Sequence, residues 1–226
     1  MTFCSKSDII KRLSRHVERI FHMNENSKTP SLAKILYEYI ETFVIAACIV
    51  LLAYSFVARL CAVDGPSMNN TLTHGEMLVV TELGFEPEYG DIVVFHETST
   101  PENPYGLDKL VVKRVIATAG QTVTIDFNTW SLKITDVDGM ERIVDESEYR
   151  YLDPMRPTVT SDFVDENNIM TVKVPEGKVF LMGDNRNNSM DSRDSRIGLV
   201  DERRILGKAV FRLTPFSKLG KLPSVN

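Results

Sequence analysis

Three short segments carry residue types that chemistry needs: Asp64-Gly65-Pro66-Ser67-Met68, Val111-Val112-Lys113-Arg114-Val115-Ile116, and Gly183-Asp184-Asn185-Arg186-Asn187-Asn188-Ser189-Met190-Asp191-Ser192-Arg193. Ser67 stands in a Gly-Pro-Ser turn. A serine hydroxyl is a poor nucleophile until a base takes its proton. His74 and His96 are the only histidines past residue 60, and no motif joins either to a Ser-His-Asp arrangement. Alone, Ser67 reads as a turn residue.

Lys113 changes that reading. It alternates with Val111 and Val115 on one face of an apolar strand, the face that points inward. A buried lysine without a carboxylate neighbour loses hydration of its charged form, so its pKa falls and it can serve as a neutral general base. The strand pattern equally permits a lysine that snorkels to the surface. Arg114, on the opposite face, is expected at the surface. By composition the third segment is an exposed loop, but Ser189 could hydrogen-bond a neutral lysine amine and orient it, and Asp191 with Arg193 could form a charge-assisted pair that fixes the loop.

The elements that must hold these residues begin with an apolar run. Residues 40–57 contain a single charge, Glu41, and with their flanks from 37 to 60 are long enough to cross a bilayer core of about 30 Å. The run is apolar all round, unlike the striped helix of a soluble domain. The basic region before it is too long for a cleavable leader, and no small-x-small site precedes the motifs, so an uncleaved anchor is expected. Seven Lys/Arg against three Asp/Glu lie in residues 1–36, while Arg59 is the only basic residue between 58 and 108. This asymmetry puts the N-terminus in the cytoplasm and residues 61–226 outside. Within the tail, apolar residues from Ile9 to Phe21 recur at helical spacing after Ser7, which suits a surface-lying or solvated helix.

Past residue 62 the chain reads as short β-branched runs broken by Gly, Pro and Asn, at 77–81, 91–95, 110–116, 122–125, 131–135, 169–174 and 178–182, with Asp138-Gly139 as a hairpin turn. A mainly β, antiparallel body is expected, with core about 61–126 and 172–214 and an acidic, β-rich inserted cap at about 127–171. The end from Pro215 is short and polar. Residues 58–226 carry a net charge of −7 with no basic stripe, which argues against nucleic acid. All three cysteines, Cys4, Cys48 and Cys61, precede residue 62, so neither a disulfide framework nor a zinc-ligand pattern is read in the body.

Together the segments resemble bacterial type I signal peptidase, a membrane serine protease that removes signal peptides from exported proteins. The boxes appear in that family's order: GPSMNNTL (65–72), YGDIVVF (89–95), VVKRVIATAG (111–120) and GDNRNNSMDSR (183–193). The resemblance implies Ser67 as nucleophile and Lys113 as general base. It implies Ser189, Asp191 and Arg193 as their support, with Gly65, Met68, Leu72 and Val112 lining the substrate site. It further implies acyl-enzyme cleavage after small residues in an Ala-x-Ala pattern, with no cofactor and no metal. The expected partners are pre-proteins and the lipid bilayer, and the expected state is a monomer. Asn70 departs from the family's usual proline, and ATAGQ (117–121) from its Gly-x-Pro-Gly-Asp pattern. Gly65 stands where some members place a serine donor, leaving the backbone N–H of Ser67 to carry more of the oxyanion stabilisation. Two other readings are a self-cleaving Ser–Lys regulator, disfavoured by the apolar span, and a tethered binding module that lost its activity.

Overall fold

The computed structural model of the chain describes residues 31–82, 84–98, 108–153, 164–223 and 225, and of residues 52–57 the backbone only. The tail expected in the cytoplasm lies almost wholly outside the described residues. Helix α1, Leu32–Val57, opens at Ser31, whose Oγ accepts from the Lys34 N–H as an N-cap does. Its apolar side chains Phe43, Val44, Ile45, Ile49, Val50 and Leu51 are exposed. Among the described residues no helix is long and apolar enough to cross a membrane. The last six side chains of the apolar run expected to span one, at 52–57, lie outside the description.

The β body consists of two antiparallel sheets. The strands are β1 (Ala58–Ala62), β2 (Met77–Thr81), β3 (Ile92–Glu97), β4 (Lys109–Ala117), β5 (Thr122–Asp126), β6 (Ser131–Thr135), β7 (Glu141–Val144), β8 (Ile169–Lys173), β9 (Lys178–Met182), β10 (Val200–Asp201), β11 (Ile205–Thr214) and β12 (Gly220–Lys221). The large sheet runs β1-β2-β11-β3-β4-β9-β10, with β12 paired to β11. The small sheet runs β7-β6-β5-β8.

Patterning explains the layout. The middle strands β3, β4 and β9 are largely buried on both faces because both faces are covered, and apart from Lys113 and Arg114 the buried residues of β4 are apolar. On β9, Val179 and Leu181 join a core with Val93, Phe95, Val111 and Val115. The alternate residues Phe180 and Met182 join a second core with Val123, Ile125, Leu132, Ile134 and Met170 of the small sheet. That sheet buries one face only, as the alternation of β5 and β6 requires. The hairpin at Asp138-Gly139 forms with Gly139 at positive φ and its N–H donating to the Asp136 carbonyl.

Candidate active site

Ser67 lies in the turn between β1 and β2, and Lys113 lies at the middle of β4. Residue 113 pairs across the ladder with Val93. It therefore shares the apolar face of Val93, Val111 and Val115, and is 3% exposed. Its Nζ stands 2.8 Å from Ser67 Oγ and 3.2 Å from the Val112 carbonyl. The ammonium donates across the first contact, and the neutral amine accepts the serine O–H there. Burial pushes the Lys113 pKa down to about 8; Asp191 opposes this, while Arg193 and Lys109 add to it. A hydroxyl and an amine of that basicity in hydrogen-bond contact can exchange a proton near neutral pH.

Asp191 organises the third segment from inside. Its Oδ2 accepts from Ser189 Oγ (2.7 Å), the Gly183 N–H (2.9 Å) and Arg193 Nη2 (2.9 Å), and its Oδ1 from Arg193 Nε (2.8 Å). Burial would raise its pKa, but Arg193 and these hydrogen bonds hold it below the usual carboxylate range. Ser189 thus differs from expectation. Its hydroxyl donates to Asp191, the stronger acceptor, and among the described contacts it makes no hydrogen bond to the Lys113 amine. It stays close to the pair all the same. A side chain at Gly183 would collide with both Ser189 Oγ and the Ser67 carbonyl.

The backbone of residues 183–187 is clamped on two sides. The Asn185 N–H donates to the Ser67 carbonyl (3.0 Å) and its Nδ2 to the Pro66 carbonyl (3.1 Å). On the other side, the Tyr151 N–H donates to the Asp184 carbonyl (2.8 Å) and the Arg186 N–H to the Tyr151 carbonyl (2.9 Å).

Arg114 is not a surface residue. It is fully buried, with Nε and Nη2 on the two oxygens of Asp184 (2.8 and 2.7 Å), Nη1 donating to the Gly90 carbonyl (2.7 Å), and its guanidinium over the Tyr149 ring. Alternation placed it opposite Lys113, but the segment after β7 covers that face. Glu146 from the same segment pairs with buried Arg186 and accepts from Tyr149. The far end of the loop that holds Ser67 has its own anchor. Arg212 Nη2 donates to the Thr71 carbonyl (2.6 Å), Arg212 pairs with buried Glu76 at 3.0 Å, and Thr73 Oγ1 donates to Glu76 (2.7 Å).

Met68, Leu72 and Val112 form one core cluster with Ile92 and Val94, beneath the turn that holds Ser67. Gly65 adopts φ +90° with open space at its Cα, and its N–H donates to His74 Nδ1 (3.2 Å). His74 stands at Asp64, and His96 faces Asp108 across 3.8 Å. Glu146, Glu76 and Arg212 escaped the sequence reading because nothing around them repeats or clusters. Asp184, Asn185 and Arg186 lay within a quoted segment, and only their burial shows what they do.

The family model "Signal peptidase, peptidase S26" matches residues 36–214. A probable signal peptidase I-1 of Synechocystis sp. is 36% identical over 204 residues, 88% of this chain and 93% of its own length. Signal peptidase I of Bacillus licheniformis is 34% identical, covering 86% of this chain and 97% of its own. Signal peptidase IB of Staphylococcus aureus is 30% identical, covering 83% and 94%. With a Ser–Lys contact at its centre and a family match over most of its length, this chain belongs to the signal peptidase family, peptidase S26, and is a serine endopeptidase of the signal peptidase I kind.

Proposed function

We propose that the chain cleaves N-terminal signal peptides from exported pre-proteins by acyl transfer through Ser67, with Lys113 as general base and then general acid. Neutral Lys113 takes the Ser67 proton as Oγ attacks the carbonyl carbon before the scissile bond. The tetrahedral intermediate collapses as the Lys113 ammonium protonates the departing amine, which is the new N-terminus of the mature protein. Lys113 then takes a proton from water, whose oxygen attacks the ester. Ser67 leaves with the proton, and the signal peptide departs as a carboxylic acid. The observation that carries this reading is the 2.8 Å contact between Ser67 Oγ and a buried amine. Asp191, held by Arg193 and Ser189, supports the base electrostatically, its charge acting on Lys113.

The preferred cleavage site is Ala-x-Ala, with Gly65, Met68, Leu72 and Val112 at or beneath the small-residue pockets. The helix that ends at Val57 anchors the enzyme, short of the 37–60 bounds read from the sequence because residues 58–60 belong to β1, with the N-terminus cytoplasmic and the body outside. Support comes from the apolar run with one charge at 40–57, from the exposed apolar side chains of α1, and from the basic excess before it. Anchoring holds enzyme and the substrate's own apolar segment in one bilayer, which raises their effective concentration.

The test is cleavage of a pre-protein bearing an Ala-x-Ala site by the detergent-purified chain, alongside Ser67→Ala and Lys113→Met, read by gel and mass spectrometry. Cleavage after the −1 Ala by the wild type alone supports the proposal. A folded wild type that leaves the substrate intact overturns it in favour of a tethered binding module.

A further inference from the structure

Asn185 holds the nucleophile's own peptide unit from one side. Its Nδ2 donates to the Pro66 carbonyl at 3.1 Å, and the Asn69 N–H donates to the same oxygen at 3.1 Å, so both lone pairs of that carbonyl are engaged. Its backbone N–H holds the next carbonyl, that of Ser67, at 3.0 Å. The side chain is 7% exposed, and its Oδ1 accepts from no described residue. The amide is thus buried around one donated hydrogen bond, with its oxygen desolvated and uncompensated by those residues.

A trans peptide unit is planar, with C=O and N–H pointing in opposite directions. The Pro66–Ser67 bond is not among the cis bonds of the chain. With the Pro66 carbonyl fixed by Asn185 and Asn69, the Ser67 N–H is aimed away from both. It donates to no acceptor among the described residues. An unengaged, fixed N–H on the nucleophilic residue is suited to receive the oxyanion that forms when Oγ attacks a carbonyl. The nearby Gly65 has no side-chain donor, and its N–H is occupied by His74.

We propose that Asn185 is a positioning residue for the oxyanion donor: by holding the Pro66 carbonyl it sets the direction of the Ser67 N–H. It touches neither the substrate nor the Ser67–Lys113 proton transfer. The inference rests on Ser67 being the nucleophile, as proposed above. Asn185→Ala removes the side-chain donor and keeps the backbone N–H, while Asn185→Asp keeps the size and cannot donate when ionised.

The experiment compares both full-length variants with wild type and Ser67→Ala in detergent. It measures kcat, KM, the pH profile of kcat/KM, thermal unfolding, and the affinity of a peptide aldehyde ending in Ala-x-Ala. Ser67 adds to the aldehyde to form a hemiacetal, whose tetrahedral oxygen occupies the oxyanion position. The expected result is a kcat lower by about tenfold to a hundredfold in both variants, since one aimed donor is being loosened rather than deleted. In Asn185→Ala, KM and the pH midpoint stay where they are in wild type, and aldehyde affinity falls by the same factor as kcat; the added charge of Asn185→Asp moves the midpoint upward on its own account. A kcat within twofold of wild type overturns the proposal, as does an unchanged aldehyde affinity. A moved pH midpoint in Asn185→Ala, which adds no charge, overturns it too, because Asn185 would then act through Lys113. If neither variant folds, Asn185 serves folding and the proposal falls. An inactive wild type, or an active Ser67→Ala, would instead remove the nucleophile assignment itself.

Discussion

Lys113 and Arg114 are consecutive on β4 and both buried, yet only Arg114 has a carboxylate. Two oxygens of Asp184 meet Arg114 at 2.8 and 2.7 Å, while no carboxylate of the described residues lies within ion-pair distance of Lys113 Nζ. Strand alternation sends the two cations to opposite faces. On one face the charge is matched. On the other, burial lowers the pKa to about 8, and Ser67 Oγ takes the place a counter-ion would have.

The pH dependence of catalysis follows from that difference. With the neutral amine as the proposed base, kcat/KM should rise with pH through a midpoint near 8 and level off above it. Activity is lost as pH falls through that value and the amine is protonated. Steady-state cleavage of a soluble peptide across pH 6 to 10 reads the midpoint directly. A profile already flat at pH 6 would contradict the assignment of Lys113.

Stability carries the same signature. The Lys113 pKa in the fold, about 8, lies below its ordinary 10.5, so between those values the unfolded chain binds more protons and wild-type stability rises with pH. Relative to Lys113→Met, which has no titrating amine there, wild type should gain about 2 kcal/mol between pH 8 and pH 10. Urea unfolding of both proteins at the two pH values gives the double difference. No gain would mean that the amine keeps its ordinary basicity.

Arg114→Met should cost about 3–5 kcal/mol, because it leaves the fully buried Asp184 carboxylate without its partner. Arg114→Lys should restore only part of this, since a single ammonium cannot reproduce two parallel hydrogen bonds. Chemical denaturation of the three proteins separates these cases, and a cost near zero for Arg114→Met would show that Asp184 reaches water.

Gly183→Ala tests the tightness of the site. The added methyl meets Ser189 Oγ and the Ser67 carbonyl, so either the Ser67 turn or the third segment must shift. Displacement by a fraction of an ångström should lower kcat by about tenfold to a hundredfold. The denaturation midpoint should move less than it does for Arg114→Met. Full activity would show that the segment yields at no cost to catalysis.

The sequence was informative wherever local pattern decides structure. Seven strands coincide with β-branched runs, and the alternation around Lys113 placed it on the buried face that it occupies. β11 was missed although it sits inside the large sheet between β2 and β3, because Lys208 and Arg212 interrupt its apolar run and Gly207 bends it. That glycine holds φ +145° where a side chain would strike the Thr81 carbonyl, so a residue that weakens a strand pattern marks a close strand approach. Arg114 was misread for the opposite reason. Its burial depends on Asp184, Tyr149 and Gly90, which are distant in sequence, and no local rule shows that the chain after β7 returns to cover it.

The clamp on residues 183–187 has a consequence for when the turn around Ser67 takes its final shape. Ser67 is synthesised early, but the carbonyls flanking it are held by Asn185, whose own neighbours are held by Tyr151. These contacts close long stretches of chain, and such closures come late in folding because their entropy must be spent before the contact repays it. In a chain made from N- to C-terminus, the two carbonyls flanking the Ser67 hydroxyl therefore stay unheld until residue 185 has been made, so the turn takes its final shape only with the last third of the sequence.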